Sequence, residues 1–82
     1  MRIVIADGYT TVRVGLKGLL LATEIQVVGE TEDGKEAIRL AQELRPDLVI
    51  LGLNLTGKVS GIETCQKIKA LPNPPPILVY AA

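Results

Sequence analysis

The chain is 82 residues long and 48% apolar, with nine basic and nine acidic side chains and no histidine. That length allows one domain, near the small end of what buries a core without disulfides or metal, and the interspersed charges form neither a basic stripe for nucleic acid nor an acidic tail. The lone Cys65 permits no internal disulfide, and no apolar run reaches the length of a signal peptide or a membrane span, so a soluble domain in a reducing cytoplasm is expected.

Arg2 to Ala6 is a β-branched run that ends in Asp7-Gly8, which predicts a strand followed by a turn. From Thr10 or Thr11, apolar residues recur at Val12, Leu16, Leu19 and Leu20 while Arg13 and Lys17 lie on other faces, an amphipathic helix expected to end near Ala22. Ile25 to Gly29 is a second strand. Asp33 with Glu36 three residues later is a capping-box start for a second helix, whose expected buried stripe is Ala37, Ile38, Ala41 and Leu44. Arg45-Pro46 stops it, because proline disfavours helical backbone in the residue before it. Pro46 to Gly57 (PDLVILGLNLTG) then holds a short continuous apolar run closed by glycines, the pattern of a strand buried on both faces of a parallel sheet. Ser60 and Glu63 open a third helix, expected to carry Ile62, Cys65 and Ile68 inward. Pro72 to Pro76 excludes regular structure, and Ile77 to Tyr80 is a fourth strand.

Strands alternating with helices predict an α/β domain, a parallel sheet with helices on both faces. In such sheets ligands gather beyond the carboxyl ends of the central strands, so the expected site lies at Gly52 and just after it. The residue standing there has no side chain.

Three stretches carry a resemblance: Met1 to Asp7 (MRIVIAD), Val27 to Ala37 (VVGETEDGKEA) and Arg45 to Leu51 (RPDLVIL). Together they resemble receiver domains of two-component response regulators, in particular the NarL-like branch, and the middle stretch is the most specific because the fold does not demand it. The resemblance covers nearly the whole chain. It implies a flavodoxin-like (CheY-like) sheet of strand order 2-1-3-4(-5). Residues 1 to 82 would then be about the first two thirds of a receiver, with the fourth helix, fifth strand and fifth helix missing.

Receivers typically take a phosphoryl group from a histidine kinase onto an aspartate at the end of the third strand. They use magnesium held by acids after the first strand, a Thr or Ser after the fourth and a Lys after the fifth. Carried over residue by residue, Asp7 matches the first acid, the second falls on Gly8, the phospho-acceptor on Gly52 and the Thr/Ser on Ala81, while the lysine would lie beyond Ala82. Thr56 stands where a proline is usual, and the loop before Gly61 is one residue longer than usual. The resemblance therefore implies a degenerate receiver that does not run phosphoryl transfer.

Plain structural readings stand beside these. Asp7 reads as a turn residue or solvated acid as readily as a vestigial metal ligand, and one carboxylate without partners holds Mg2+ weakly, so no cofactor is expected. Gly52 reads as a strand-ending glycine at a tight turn, and Cys65 as core, since no histidine stands by to activate it. The function expected is non-enzymatic: a phosphorylation-independent interaction module that regulates a DNA-binding helix-turn-helix output domain in a longer parent. Its partners would be proteins, a second copy among them, with no membrane or direct nucleic-acid contact and no phosphotransfer from a histidine kinase. The alternative is a flavodoxin-like small-molecule site such as a corrinoid-binding domain, which the lack of histidine disfavours. Phosphorylation at another residue is a third option, but only Asp7 supplies a carboxylate at the end of a central strand. In this arrangement Ile77 to Tyr80 would be an open edge strand, and an isolated monomer would be unstable without further chain or a second copy to cover it.

Overall fold

The computed structural model describes residues 1–81. Its elements run β1 (Arg2–Ala6), α1 (Thr10–Leu20), β2 (Gln26–Thr31), α2 (Gly34–Leu44), β3 (Leu48–Gly52), α3 (Gly61–Lys69) and β4 (Ile77–Tyr80). The four strands form one parallel sheet in the order β2-β1-β3-β4, which places β1 and β3 at its centre. This is the order expected, and it directs the carboxyl ends of all four strands to one edge of the molecule.

One face of the sheet is packed by α2 and α3. Val4, Ala6, Val49 and Leu51 point into a fully buried layer with Ala37, Ala41 and Ile68, and Ile38, Leu44, Cys65 and Ile77 close around it half-buried. The α2 side of that layer is built of Ala37 and Ala41, small residues that let the helix lie close to the sheet, while Gly34 at the helix start makes room for Val59 and Thr64. Asp33 caps α2 by accepting from the Glu36 N–H at 2.9 Å, and Ser60 caps α3 by accepting from the Glu63 N–H at 3.1 Å, as the capping boxes predict. Helix α2 ends on Arg45 in the left-handed region (φ 46°), after which Pro46 starts the approach to β3.

The second face carries Ile3 and Ile5, both buried, with Ile50 half-buried and Leu78 exposed. Helix α1 packs on this face toward β2 and buries none of its own residues completely. The strand expected to be buried on both faces is so only in part: Val49 and Leu51 are fully buried on the first face, while Leu48 and Ile50 on the second are half-buried. The outer edge of β4 has no partner strand among the described residues, and Leu78 and Val79 there are exposed.

Four sequence expectations are corrected. Strand β2 begins at Gln26 and runs on through Glu30 and Thr31, which pair with Ile5 and Ala6, after a bulge between Val27 and Gly29. Gly29 does not end the strand; its missing side chain leaves room for Leu40 and Leu44 of α2. Helix α1 stops at Leu20, and Leu19, expected in its inner stripe, is 77% exposed. Ile62 is 63% exposed, because Gly61 is the residue pressed inward against the Leu53 backbone and the inward line continues through Thr64 and Ile68. Position 62 is turned about 100° away from that line.

Candidate functional site

Alternation along β1 puts Ile3, Ile5 and then Asp7 on the face shared with α1, so Asp7 arrives at the carboxyl edge pointing across the sheet toward β3. It is only 1% exposed. Its Oδ1 accepts from the Tyr9 N–H at 2.7 Å, a local turn bond that sets the entry to α1, and its Oδ2 accepts from the Tyr80 hydroxyl. Arg13 donates to the Asp7 carbonyl oxygen at 2.7 Å and pairs with Glu30 at 3.2 Å. Lys17 pairs with Glu30 as well. The Lys17 hydrogen bond, helped by Arg13, holds the Glu30 carboxyl below its ordinary range against the opposing effect of burial. Asp7 is thus the turn residue of the plain reading but not its solvated acid: both carboxylate oxygens are engaged inside the protein.

Gly52 ends β3 directly opposite Tyr80 in the β3–β4 register. A side chain built on Gly52 would run into Asp7 Oδ2 and come within 3.2 Å of Tyr80 Cζ. The space above the expected acceptor position is therefore filled by a phenol reaching over from β4. Burial, and after it the bond to the Asp7 carboxylate, pushes the Tyr80 phenol well above its ordinary value of 10.0, so it is a neutral donor.

Gly8, at the second acid position, is filled from another direction. Its N–H donates to the Asn54 carbonyl at 2.7 Å, and a Cβ there would drive into the same carbonyl. The loop that brings Asn54 over is held by the Thr56 N–H on the Glu32 carbonyl at 2.8 Å and by the left-handed Gly57 (φ 86°), whose missing side chain makes room for Asp33. Ala81 follows β4 directly and is exposed; its methyl group neither donates nor accepts.

The structure thus brings Asp7, Gly8 and Gly52 together at the carboxyl edge. It adds Tyr80, which sequence reasoning treated only as a strand residue. The signal was available: Gly52 and Tyr80 each end neighbouring parallel strands, so their side-chain positions face one site. No group of three or more His, Cys, Asp or Glu that could hold a metal ion occurs among the described residues. The Mg2+ that the resemblance implies does not fit this donor set, which offers one carboxylate with both oxygens already bonded. Cys65 is half-buried against the core and takes no part. A recess of about 360 Å³ lined by Ala41, Arg45, Pro46, Leu71 and Pro75 lies at the opposite end of the sheet and contains none of the site residues. No helix among the described residues is long and apolar enough to cross a membrane.

Comparison with known proteins agrees with the fold. The response regulator receiver domain family matches residues 3–82. The nitrate/nitrite response regulator NarL of Escherichia coli K12 is 41% identical over 68 residues, 82% of this chain and 31% of that protein. The transcriptional regulatory protein LiaR of Bacillus subtilis is 39% identical over 83 residues, 100% of this chain and 39% of that protein. The chain spans about a third of the length of these curated relatives. Among solved structures, the signal receiver domain of NarL from Mycobacterium tuberculosis superposes with a TM-score of 0.86 at 28% identity, over 99% of this chain and 64% of that one. The small-molecule alternative finds no support in these relatives.

Proposed function

Since the chain belongs to the response regulator receiver domain family, we propose that it acts as a phosphorylation-independent, non-enzymatic interaction module of a two-component signalling protein. The observation that carries this reading is at Gly52: the acceptor position has no side chain, and the volume above it is taken by Tyr80 and Asp7. An acyl phosphate needs a carboxylate there. A phosphoryl group needs a cation and a hydroxyl to hold it, and Gly8 and Ala81 supply neither.

LiaR is named a transcriptional regulatory protein, and this chain matches about a third of it, which supports a longer parent with a DNA-binding helix-turn-helix output. Partners are proteins, met in the cytoplasm without phosphotransfer from a histidine kinase. The open edge of β4 and the exposed Leu78 beside half-buried Ile50 favour cover by further chain or by a second copy. The test is incubation with acetyl phosphate and Mg2+, read by intact mass. No phospho-adduct is expected, and a stoichiometric adduct on any carboxylate would overturn the proposal.

A further inference from the structure

We propose that Tyr80 is an internal latch, a side chain that occupies the site at the carboxyl ends of β1 and β3, shuts it to cations, and ties the end of β4 across β3 to Asp7. The proposal rests on the reading above and goes beyond it, because loss of the acceptor aspartate alone would leave an open pocket. What the structure shows is a pocket filled by its own chain.

Three observations converge on it. First, Asp7 is 1% exposed, and among the described residues Tyr80 supplies the only bond to its Oδ2, while Tyr9 supplies the one to Oδ1. A buried carboxylate is costly unless it is hydrogen-bonded, and no buried side-chain polar atom among the described residues lacks a partner. Tyr80 therefore both covers this carboxylate and satisfies it. Second, Gly52 and Tyr80 are in-register neighbours, and a Cβ at 52 would conflict with Asp7 Oδ2 and crowd the Tyr80 ring at Cζ. A side chain at 52 displaces the Asp7 carboxylate that Tyr80 holds and presses on the ring itself, so residues 7, 52 and 80 compete for one volume. Third, the contact spans the sheet: β1, β3 and β4 are successive strands, and the phenol bridges the outer pair over the residue that ends the middle one. The Leu53 N–H on the Tyr80 carbonyl at 3.1 Å fastens the backbone at the same level. The end of β4 is thus fixed from both its side chain and its main chain, without any ligand.

The latch makes the identity of residue 80 decide whether the site can open. In Gly52→Asp alone, the introduced carboxylate must compete with the ring and with Asp7 for one volume. In Gly52→Asp/Tyr80→Val the ring is gone, Asp7 Oδ2 is released to turn away from the new side chain, and two carboxylates border the volume that the ring vacates.

The experiment is Mn2+ binding to the full chain as expressed, followed by water-proton relaxation, for the unsubstituted protein, Gly52→Asp, and Gly52→Asp/Tyr80→Val. The double variant is expected to bind Mn2+ at least about tenfold more tightly than Gly52→Asp, a gap of ~1.4 kcal/mol. Equal affinity in the two variants would overturn the latch. Should the double variant not fold, amide hydrogen exchange of Tyr80→Phe decides instead. Exchange at the end of β4 and at Leu53 is expected to rise about tenfold over the unsubstituted chain relative to Val49 in the core, because the hydroxyl tie is lost while the ring remains. Exchange unchanged at those amides would likewise overturn it. Phosphorylation of the unsubstituted chain would overturn the underlying reading, an outcome separate from either of these.

Discussion

Replacing Gly8 by Ala sets two opposed effects against each other, and the structure decides the sign. Gly8 is not among the residues with positive φ, so its backbone accepts a side chain without strain. On that ground alone the substitution would stabilise by about 0.4 to 1 kcal/mol, because alanine leaves the unfolded chain fewer conformations to lose. Against this, the new Cβ meets the Asn54 carbonyl, with the carbonyl carbon 3.1 Å away and Leu55 Cα at 3.5 Å. Backbone cannot swing aside as a side-chain tip can, and this loop is fastened by Thr56 on Glu32 and by Leu53 on Tyr80. The Gly8 to Asn54 hydrogen bond would be lost at about 1 kcal/mol, and overpacking adds about 1 to 3. The net expectation is destabilisation by about 1 to 3 kcal/mol. Gly15 and Gly18 in α1 are the controls, since nothing lies within 4 Å of a Cβ at either position. Alanine there should stabilise by about 0.5 to 1 kcal/mol each. Urea unfolding followed by circular dichroism, compared at constant m, measures all three. A Gly8→Ala protein as stable as its parent would show that the loop does not sit on β1 as described.

The two isoleucines of α3 give a second contrast: Ile68, fully buried, should cost about 2 to 5 kcal/mol when cut to alanine, and Ile62, 63% exposed, should stay within about 0.5. Equal losses in denaturant titrations would mean the helix is rotated from its position here. The third prediction concerns pH. Glu30 sits below its ordinary value of 4.5 because Lys17, and after it Arg13, hydrogen-bond the carboxylate. A depressed carboxyl stabilises the fold fully above its unfolded value, and that contribution is lost as pH falls below about 4.5. Both Lys17 and Glu30 reach water, so the contribution is under about 1 kcal/mol and shrinks with salt. The stability difference between the parent and Glu30→Gln should therefore narrow between about pH 6 and pH 3. A difference that stays constant over that interval would remove the pair from the account.

The order of elements was legible in the sequence because each is signalled locally: β-branched runs for the strands, Asp33 with Glu36 and Ser60 with Glu63 for two helix starts, and Pro46 for a helix stop. The parallel order of the sheet followed from alternation and resemblance together, and the site residues Asp7, Gly8 and Gly52 followed from their places at strand ends. What the sequence misjudged depends on neighbours distant along the chain. Leu19 and Ile62 fit a helical period, but period names a stripe without saying which side a neighbour will cover, and α1 lies beside β2 with Leu19 turned outward. Gly29 reads as a strand end until α2 is seen to use its missing side chain.

The glycines of the site show the division most sharply. From sequence, Gly8 and Gly52 are two absent carboxylates, a statement about lost chemistry that needs only residue identity. Tertiary structure alone decided that neither position is vacant space: Asn54, 46 positions away from Gly8, presses its carbonyl there, and Tyr80, 73 from Asp7, spans the sheet to close the other. Such contacts are set by strand register and loop course, which position side chains from remote parts of the chain to within a few ångströms of one another. No local pattern encodes that distance.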